Sequence, residues 1–317
     1  MAMISVLMSV YKEPLEYVRK SVESILNQTY TDFELIIIID NPMYSEMIDY
    51  LKKLANENNQ VMIHVNEKNC GLASSLNTAL SLSSSEYIAR MDADDISLPQ
   101  RFERQLKFLQ ENNLDIVSCS AEKMDENDES FSMIQFSADN KQVKNLLPIQ
   151  NIIVHPTILA RTEVIKKVDG YRKFPTCQDY DLWLRLLAEG YKFAVMDEVL
   201  FRFRVHQNSI TTTKHFNQIL TEKYIRKLYN KRKKSGYDDF SEEKLQQYVC
   251  KFGYNKSNIC EKENKAYREY ELIKCSKNKG HKIIGGFKIL IAMRYITVRT
   301  SVLTSVRAKM IKRRKKG

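Results

Sequence analysis

Three carboxylates fall within four residues in the stretch Arg90-Met91-Asp92-Ala93-Asp94-Asp95. They repel one another at the close of a strand-like run, so the stretch needs a counter-charge. A divalent cation bridging a diphosphate supplies one, and hard oxygen ligands suit Mg²⁺ or Mn²⁺. A solvated acidic turn capping the next helix is the alternative. Asp40 stands in a comparable place: it ends Phe33-Glu34-Leu35-Ile36-Ile37-Ile38-Ile39, and Asn41-Pro42 then turns the chain. A carboxylate there can accept the N3–H of a uracil or cap the following helix. Tyr11, where the first apolar run ends, could stack on a base or pack at the rim.

Alternating elements bring these residues together. Ile4–Val10 reads as an apolar strand; Leu15, Val18, Val22, Ile25 and Leu26 then fall at helical spacing, with Pro14 suited to the first turn. Phe33–Ile39 has the composition of a strand covered on both faces. Ile48, Leu51, Leu54 and Ala55 mark a second helix and Val61–Val65 a short strand. Leu72, Leu76, Ala79 and Leu80 mark a helix after Gly71. Tyr87–Met91 is a further strand, Phe102, Leu106 and Leu109 a helix, and Ile116–Cys119 a strand. This β-α-β-α order predicts a mainly parallel sheet with helices on both faces, and such sheets bind ligands at the carboxyl ends of their strands. Residues 125–140 turn polar and read as an irregular surface excursion. Asp179–Leu187 reads as a helix carrying Trp183, the sole tryptophan. Beyond about residue 215 the pattern is helical and lysine-rich, which divides the chain into residues 1–215 and 216–317.

At 43% hydrophobic residues the chain can build a real core, so wholesale disorder is excluded. The net charge of +11 is unevenly placed: residues 272–317 hold 14 Lys and Arg and no Asp or Glu, leaving the rest slightly acidic. A generally basic nucleic-acid-binding core is therefore excluded. Six scattered cysteines without a CxxC argue against a disulfide framework or structural zinc site and fit a reducing cytoplasm. No apolar run approaches the roughly 18–20 residues that span a bilayer. Met3–Val10 runs straight into Lys12 and Glu13 without a basic n-region, so it reads as a strand and not as a signal peptide.

Several blocks taken together resemble the nucleotide-binding half of inverting family 2 glycosyltransferases: ISVLMSVYKE at the start, SILNQTY (Ser24–Tyr30), FELIIIID, NCGLASSLNTAL (Asn69–Leu80), YIARMDADD (Tyr87–Asp95) and QDYDLWLRL (Gln178–Leu186). The match runs in consistent order over about residues 3–210. It implies an α/β GT-A nucleotide-sugar-binding fold, Rossmann-like with a mainly parallel sheet, followed by a C-terminal helical extension. It implies a UDP-sugar donor, Mn²⁺ or Mg²⁺, and a glycan or lipid-linked acceptor, galactose being the hexose expected among relatives of the bacterial surface-polysaccharide type. By position, Val10, Tyr11, Glu13 and Asp40 would surround the base and ribose. Asp92, with Ala93 beside it, would take the ribose side, and Asp94 the metal. Arg90 would contact the donor or neutralise the acidic cluster; Asn69 would support the loop near the nucleotide or satisfy loop backbone. Asp179 would be the general base and His206 a ligand of metal or diphosphate, whereas Asp181 reads as structural. His155 and Trp183 are candidates for the acceptor side, against a turn histidine and a core tryptophan.

Two departures stand out. Asn41-Pro42 replaces the usual Asp-Gly-Ser after the second strand, and Gln178-Asp179 replaces a Glu-Asp pair, keeping the second carboxylate and losing the first. Absence of GxGxxG after the first strand and of GxxxxGK[ST] argues against a dehydrogenase and a P-loop kinase. A sugar-nucleotide pyrophosphorylase and a non-catalytic nucleotide-sugar-binding protein are the competing readings. The basic, partly apolar segment 281–317 is expected to lie on an anionic membrane surface, placing the protein in the cytoplasm on the inner face of the cell membrane, or else to pack on the catalytic domain.

Overall fold

The computed structural model describes residues 2–205, 215–253, 256–275, 293 and 295–313. Its elements begin β1 (Ile4–Val10), α1 (Leu15–Leu26), β2 (Phe33–Ile39), α2 (Ser45–Glu57), β3 (Val61–Val65), α3 (Leu72–Leu82) and β4 (Tyr87–Asp92). They continue β5 (Ile96–Ser97), α4 (Arg101–Glu111), β6 (Ile116–Met124), β7 (Ser130–Ile134), α5 (Asn140–Leu146), β8 (Leu159–Arg161), α6 (Thr162–Lys167), α7 (Gln178–Ala188) and β9 (Phe193–Arg204).

The sheet runs β3-β2-β1-β4-β8-β6-β9-β5, with β7 paired to β6. Strands β3, β2, β1 and β4 are mutually parallel; β8 runs antiparallel between β4 and β6, and β9 is parallel to β6. Ile36 through Ile39 are completely buried, as the sequence of a strand covered on both faces requires. Each contributes roughly 1.5–3 kcal/mol of burial, which makes β2 a rigid floor for whatever its end carries. Val18, Val22 and Ile25 of α1 supply the matching helical face. Register then levels the strand ends: Val10 pairs with Ile39, and Ser9 with Asp92. Tyr11, Asp40 and the Asp92–Asp95 loop therefore leave the sheet along one edge.

The polar stretch 125–140, expected to be irregular, contains the hairpin strand β7, antiparallel to β6. Its Phe131 and Met133 are exposed, so the strand adds no buried stripe that a core-based reading could detect. The turn is made by Asp125, whose carboxylate accepts from the Asn127 and Glu129 amides, and by Asp128 at φ 65°.

The chain divides into two compact units, and not by one cut near residue 215. The first comprises Met1–Lys144, Ile152–Lys173 and Asp181–His206; the second comprises Asn145–Asn151, Phe174–Tyr180 and Gln207–Gly317. The second unit is helical, with helices His215–Ser235, Glu242–Cys250, Ser257–Cys275 and Ile296–Arg313. Tyr224 and Tyr248 meet at 5.1 Å between ring centroids, and Phe174 stacks on Phe240 at 4.4 Å. Buried Glu263 accepts from the Ile296 and Thr297 amides at 3.0 Å each, placing an anion at the positive end of the last helix.

Candidate active site

In the first unit, four carboxylates share the carboxyl ends of β1 and β4. Burial pushes Glu13 above the usual carboxylate range, against the amides of Tyr11 and of Glu13 itself, and the charges of Asp94 and Asp92 push it further. The Tyr11 amide donates to it at 2.6 Å. Asp92 is also raised, by burial first, with the Arg90 guanidinium opposing and Asp94 adding. Asp95 is raised well above the normal range by burial and then by the charges of Asp94 and Asp92. These groups favour a cationic ligand, since every negative charge among them makes the next harder to hold.

Arg90 is buried and ion-paired with Asp92, whose charge it neutralises. Its Nε has no hydrogen-bond partner among the described residues. Asp95 is a structural member of the loop: Oδ1 accepts from the Arg204 amide at 2.7 Å, and the residue is 1% exposed. Arg204 is the residue that sequence reasoning passed over. Its fully buried guanidinium donates from Nε to the Asp94 carbonyl at 2.7 Å and from Nη1 to the Asp125 carbonyl at 2.9 Å, pairs with Asp128, and lies 4.1 Å from the Tyr17 ring centroid. It ties the Asp92–Asp95 loop to the β6–β7 turn. Nothing in FRFRVHQNS distinguishes it from its neighbour Arg202.

Asp40 is 2% exposed and already accepts three hydrogen bonds, from Asn66 Nδ2 at 2.7 Å and from the Cys70 and Gly71 amides at 2.8 Å each. Asp40 does not cap the following helix α2, whose N-cap is Tyr44; its carboxylate instead clamps the loop that enters α3, and its backbone amide donates to the Val10 carbonyl. Gly71, at φ 81°, makes that entry possible. The buried asparagine of this loop is Asn66 and not Asn69, which is exposed and accepts only from the Gly71 amide. Tyr11 and Val10 sit beside the loop at the end of β1; the Tyr11 carbonyl accepts from Asn41 Nδ2 at 3.2 Å, and Lys12 lies over the Tyr11 ring. Ala93 is buried between the two flanking aspartates.

The acceptor-side candidates fare differently from expectation. Trp183 is fully buried, its ring edge-on to His155 and Phe193, so it is core packing and presents no face to a sugar. His155 bonds the Tyr171 hydroxyl at 2.8 Å; burial, then the Arg90 charge, holds its pKa well below the ordinary histidine value. Asp181 is buried and paired with Arg185 at 2.8 Å, a structural role.

In the second unit, Asp179 lies in the first turn of α7, where the helix dipole favours a carboxylate anion. Cys177, just before this helix, has φ 62°, a left-handed conformation that costs about 1–2 kcal/mol in a residue with a side chain. Asp179 Oδ2 accepts from Asn151 Nδ2 at 2.8 Å. His206 lies outside the described residues. No group of three or more His, Cys, Asp or Glu side chains forms a cation cage among the described residues. The donors among the described residues nevertheless fit Mg²⁺ or Mn²⁺: they are all oxygen and mutually repelling, and such ions in nucleotide sites use one or two carboxylates plus substrate phosphates.

A mostly parallel sheet with an acidic loop at the end of its fourth strand is the frame of a GT-A glycosyltransferase, and the structural likeness agrees. The mannosyltransferase PcManGT from Pyrobaculum calidifontis, solved with GDP-Man and Mn²⁺, superposes with a TM-score of 0.58 over 97% of this chain and 85% of its own, at 14% identity. The chain belongs to glycosyl transferase family 2, whose model matches residues 5–169. It is 38% identical over 209 residues to the O-antigen biosynthesis glycosyltransferase WbnJ of Escherichia coli, covering 65% of this chain and 81% of that protein. It is 29% identical over 205 residues to the UDP-Gal:alpha-D-GlcNAc-diphosphoundecaprenol beta-1,3-galactosyltransferase of Escherichia coli, covering 63% and 73%.

Proposed function

We propose that this glycosyltransferase moves a hexose, galactose first among them, with inversion from a UDP-sugar to a hydroxyl of a lipid-linked or surface glycan. The observation that carries this reading is the set of repelling carboxylates Glu13, Asp92, Asp94 and Asp95, held by Arg90 and Arg204 where the strands end. The O-antigen relative and the UDP-Gal-dependent relative supply the substrate class. In the reaction the acceptor oxygen attacks C1 opposite the diphosphate, its proton passes to Asp179, and the C1–O bond to UDP breaks. Tyr11 and Val10 flank the nucleobase, Glu13 and Asp92 the ribose. A divalent cation bound there would neutralise the departing diphosphate, and Asp94, with His206, would be the residues that hold it. Gln178, unlike a second carboxylate, leaves Asp179 the only acid of the pair.

A panel of UDP-sugars, tested for binding and hydrolysis with Mn²⁺, examines the reading. UDP-galactose is expected to be turned over fastest, and turnover is expected to stop in EDTA; full activity of Asp94→Ala in EDTA refutes it.

The tail serves the same chemistry. Residues 272–317 carry 14 basic and no acidic side chains, and each Lys or Arg near an anionic bilayer contributes about 1 kcal/mol of attraction. Among the described residues no helix is long and apolar enough to cross a membrane. We propose that segment 281–317, whose helix Ile296–Arg313 packs on helix Ser257–Cys275 through Val298, Ala266 and Tyr270, also meets the anionic surface of the membrane that holds the acceptor. Full-length protein is expected to sediment with anionic vesicles at low salt and to be released at high salt; equal binding by a chain lacking residues 281–317 refutes the assignment.

A further inference from the structure

We propose that Asn151 is the positioning residue of the general base: its side-chain amide fixes the Asp179 carboxylate in the orientation and charge state that take the acceptor's proton. The proposal rests on the reading of Asp179 as that base. Asn151 Nδ2 donates to Asp179 Oδ2 at 2.8 Å. The two residues come from separate stretches of the second unit, Asn145–Asn151 and Phe174–Tyr180, yet both stretches are fastened to one helix. Arg226, on the helix His215–Ser235, donates to the Ile149 carbonyl at 2.9 Å, two residues before Asn151, and also hydrogen-bonds the side chain of Tyr180, next to Asp179. The Tyr180 hydroxyl in turn donates to the Leu147 carbonyl at 2.7 Å. Glu222, one turn before Arg226, balances its charge at 3.5 Å. The amide is thus carried on a segment held at Leu147 and Ile149, and the base on a segment held at Tyr180. A contact fixed at both ends in this way is a built feature, not an incidental surface pair.

Its chemical effect follows from what else faces Asp179. Glu222 and Cys177 both interact with its charge: burial, then Asp179, raises Glu222 against the pull of Arg226, and burial, then Glu222 and Asp179, raises the Cys177 thiol well above its usual value. A second carboxylate close to a base makes it a reluctant anion. A donor on Oδ2 offsets that repulsion and favours the anionic form that takes the proton. Removing the donor raises the pKa of the base, so the enzyme loses rate at acid pH before it loses donor affinity.

The test uses the full chain with Mn²⁺ and the UDP-sugar that the wild-type protein hydrolyses fastest, measuring kcat and KM from about pH 5 to about pH 9 for Asn151→Asp, Asn151→Ala and Asp179→Asn. Asn151→Asp keeps the size and removes the donor. It is expected to move the acid limb of kcat upward by about one pH unit and to lower kcat about tenfold below that limb, with the donor KM within about twofold of wild type. Because the new carboxylate of Asn151→Asp shifts the limb by its own charge, the neutral Asn151→Ala decides: its limb is expected to move upward as well, and a packing role alone leaves it in place. If Asp179→Asn collapses kcat while the Asn151→Ala limb does not move, the positioning role is overturned and the base reading stands. If Asp179→Asn keeps wild-type kcat, the base reading itself fails and the proposal with it. A measurement without turnover runs beside these: the melting temperature lost in Asn151→Asp is expected to be recovered in Asn151→Asp/Asp179→Asn, and strictly additive losses overturn the contact.

Discussion

Replacing Arg204 by lysine keeps a positive charge on β9 and removes the fork that ties the acidic loop in place. Two bonds are lost outright, Nε to the Asp94 carbonyl at 2.7 Å and Nη1 to the Asp125 carbonyl at 2.9 Å. The ammonium still serves Asp128, which also keeps Lys20 at 2.7 Å, so no charge is stranded. With charged donors worth roughly 1.5–3 kcal/mol per bond and the lysine ammonium retaining part of the charge interaction, the expected loss of stability is about 3 kcal/mol. The second effect is local. Re-ordering one freed residue costs about 1–2 kcal/mol, so the affinity for UDP with Mn²⁺ is expected to fall about tenfold. Urea denaturation reads the first quantity and calorimetric titration of UDP in Mn²⁺ the second. Arg202→Ala is the comparison: Arg202 bonds Glu122 and the Asp128 carbonyl, and its removal is expected to leave UDP affinity within about twofold. Wild-type UDP affinity in a folded Arg204→Lys protein refutes the reasoning.

Asp179→Asn is expected to lower kcat by about 10²–10⁴ while leaving the donor Kd near wild type; loss of donor affinity at unchanged kcat makes Asp179 a binding residue instead. Asp40→Asn turns one carboxylate oxygen toward the donors Asn66, Cys70 and Gly71 as an amide, and is expected to cost about 2–3 kcal/mol in denaturant unfolding. For His155 the folded pKa lies well below the unfolded value, so its contribution to stability is complete above about pH 6.5 and is lost as pH falls toward the folded pKa. His155→Gln is therefore expected to flatten the decline of melting temperature below about pH 6.5; an unchanged slope contradicts the burial of a neutral imidazole.

The parallel half of the sheet was legible because burial on two faces leaves a mark in composition. Phe33–Ile39 and Tyr87–Met91 read as strands, and their ends located the acidic loop. The hairpin strand Ser130–Ile134 left no such mark, since Phe131 and Met133 face solvent and contribute nothing to a core pattern. Choice between partners was the other limit. Asn66 and Asn69 are alike in type and three positions apart, and only the fold shows which one Asp40 reaches. Arg204 and Arg202 differ in the same way: alternate residues of β9 carry them to different neighbours, the acidic loop for one and Glu122 for the other. Trp183, weighed as a sugar platform, shows why a lone aromatic is a poor pointer, because a helix face that buries leucines buries tryptophan equally well.

The division of the chain also has a consequence for how the protein is made. Synthesis runs from the N-terminus, and the first unit's central strands leave the ribosome early enough to pair with one another while elongation continues. Asn145–Asn151 and Phe174–Tyr180 emerge with them but have their partners in a helix still to be translated, the one bearing Glu222 and Arg226. Until that helix follows, Tyr180 and Ile149 lack the side chain that fastens them. On the proposed roles, the nascent chain thus completes the carboxylate cluster at the ends of β1 and β4 before Asp179 is fastened, and a chain ending short of residue 215 is expected to bind UDP without transferring from a UDP-sugar.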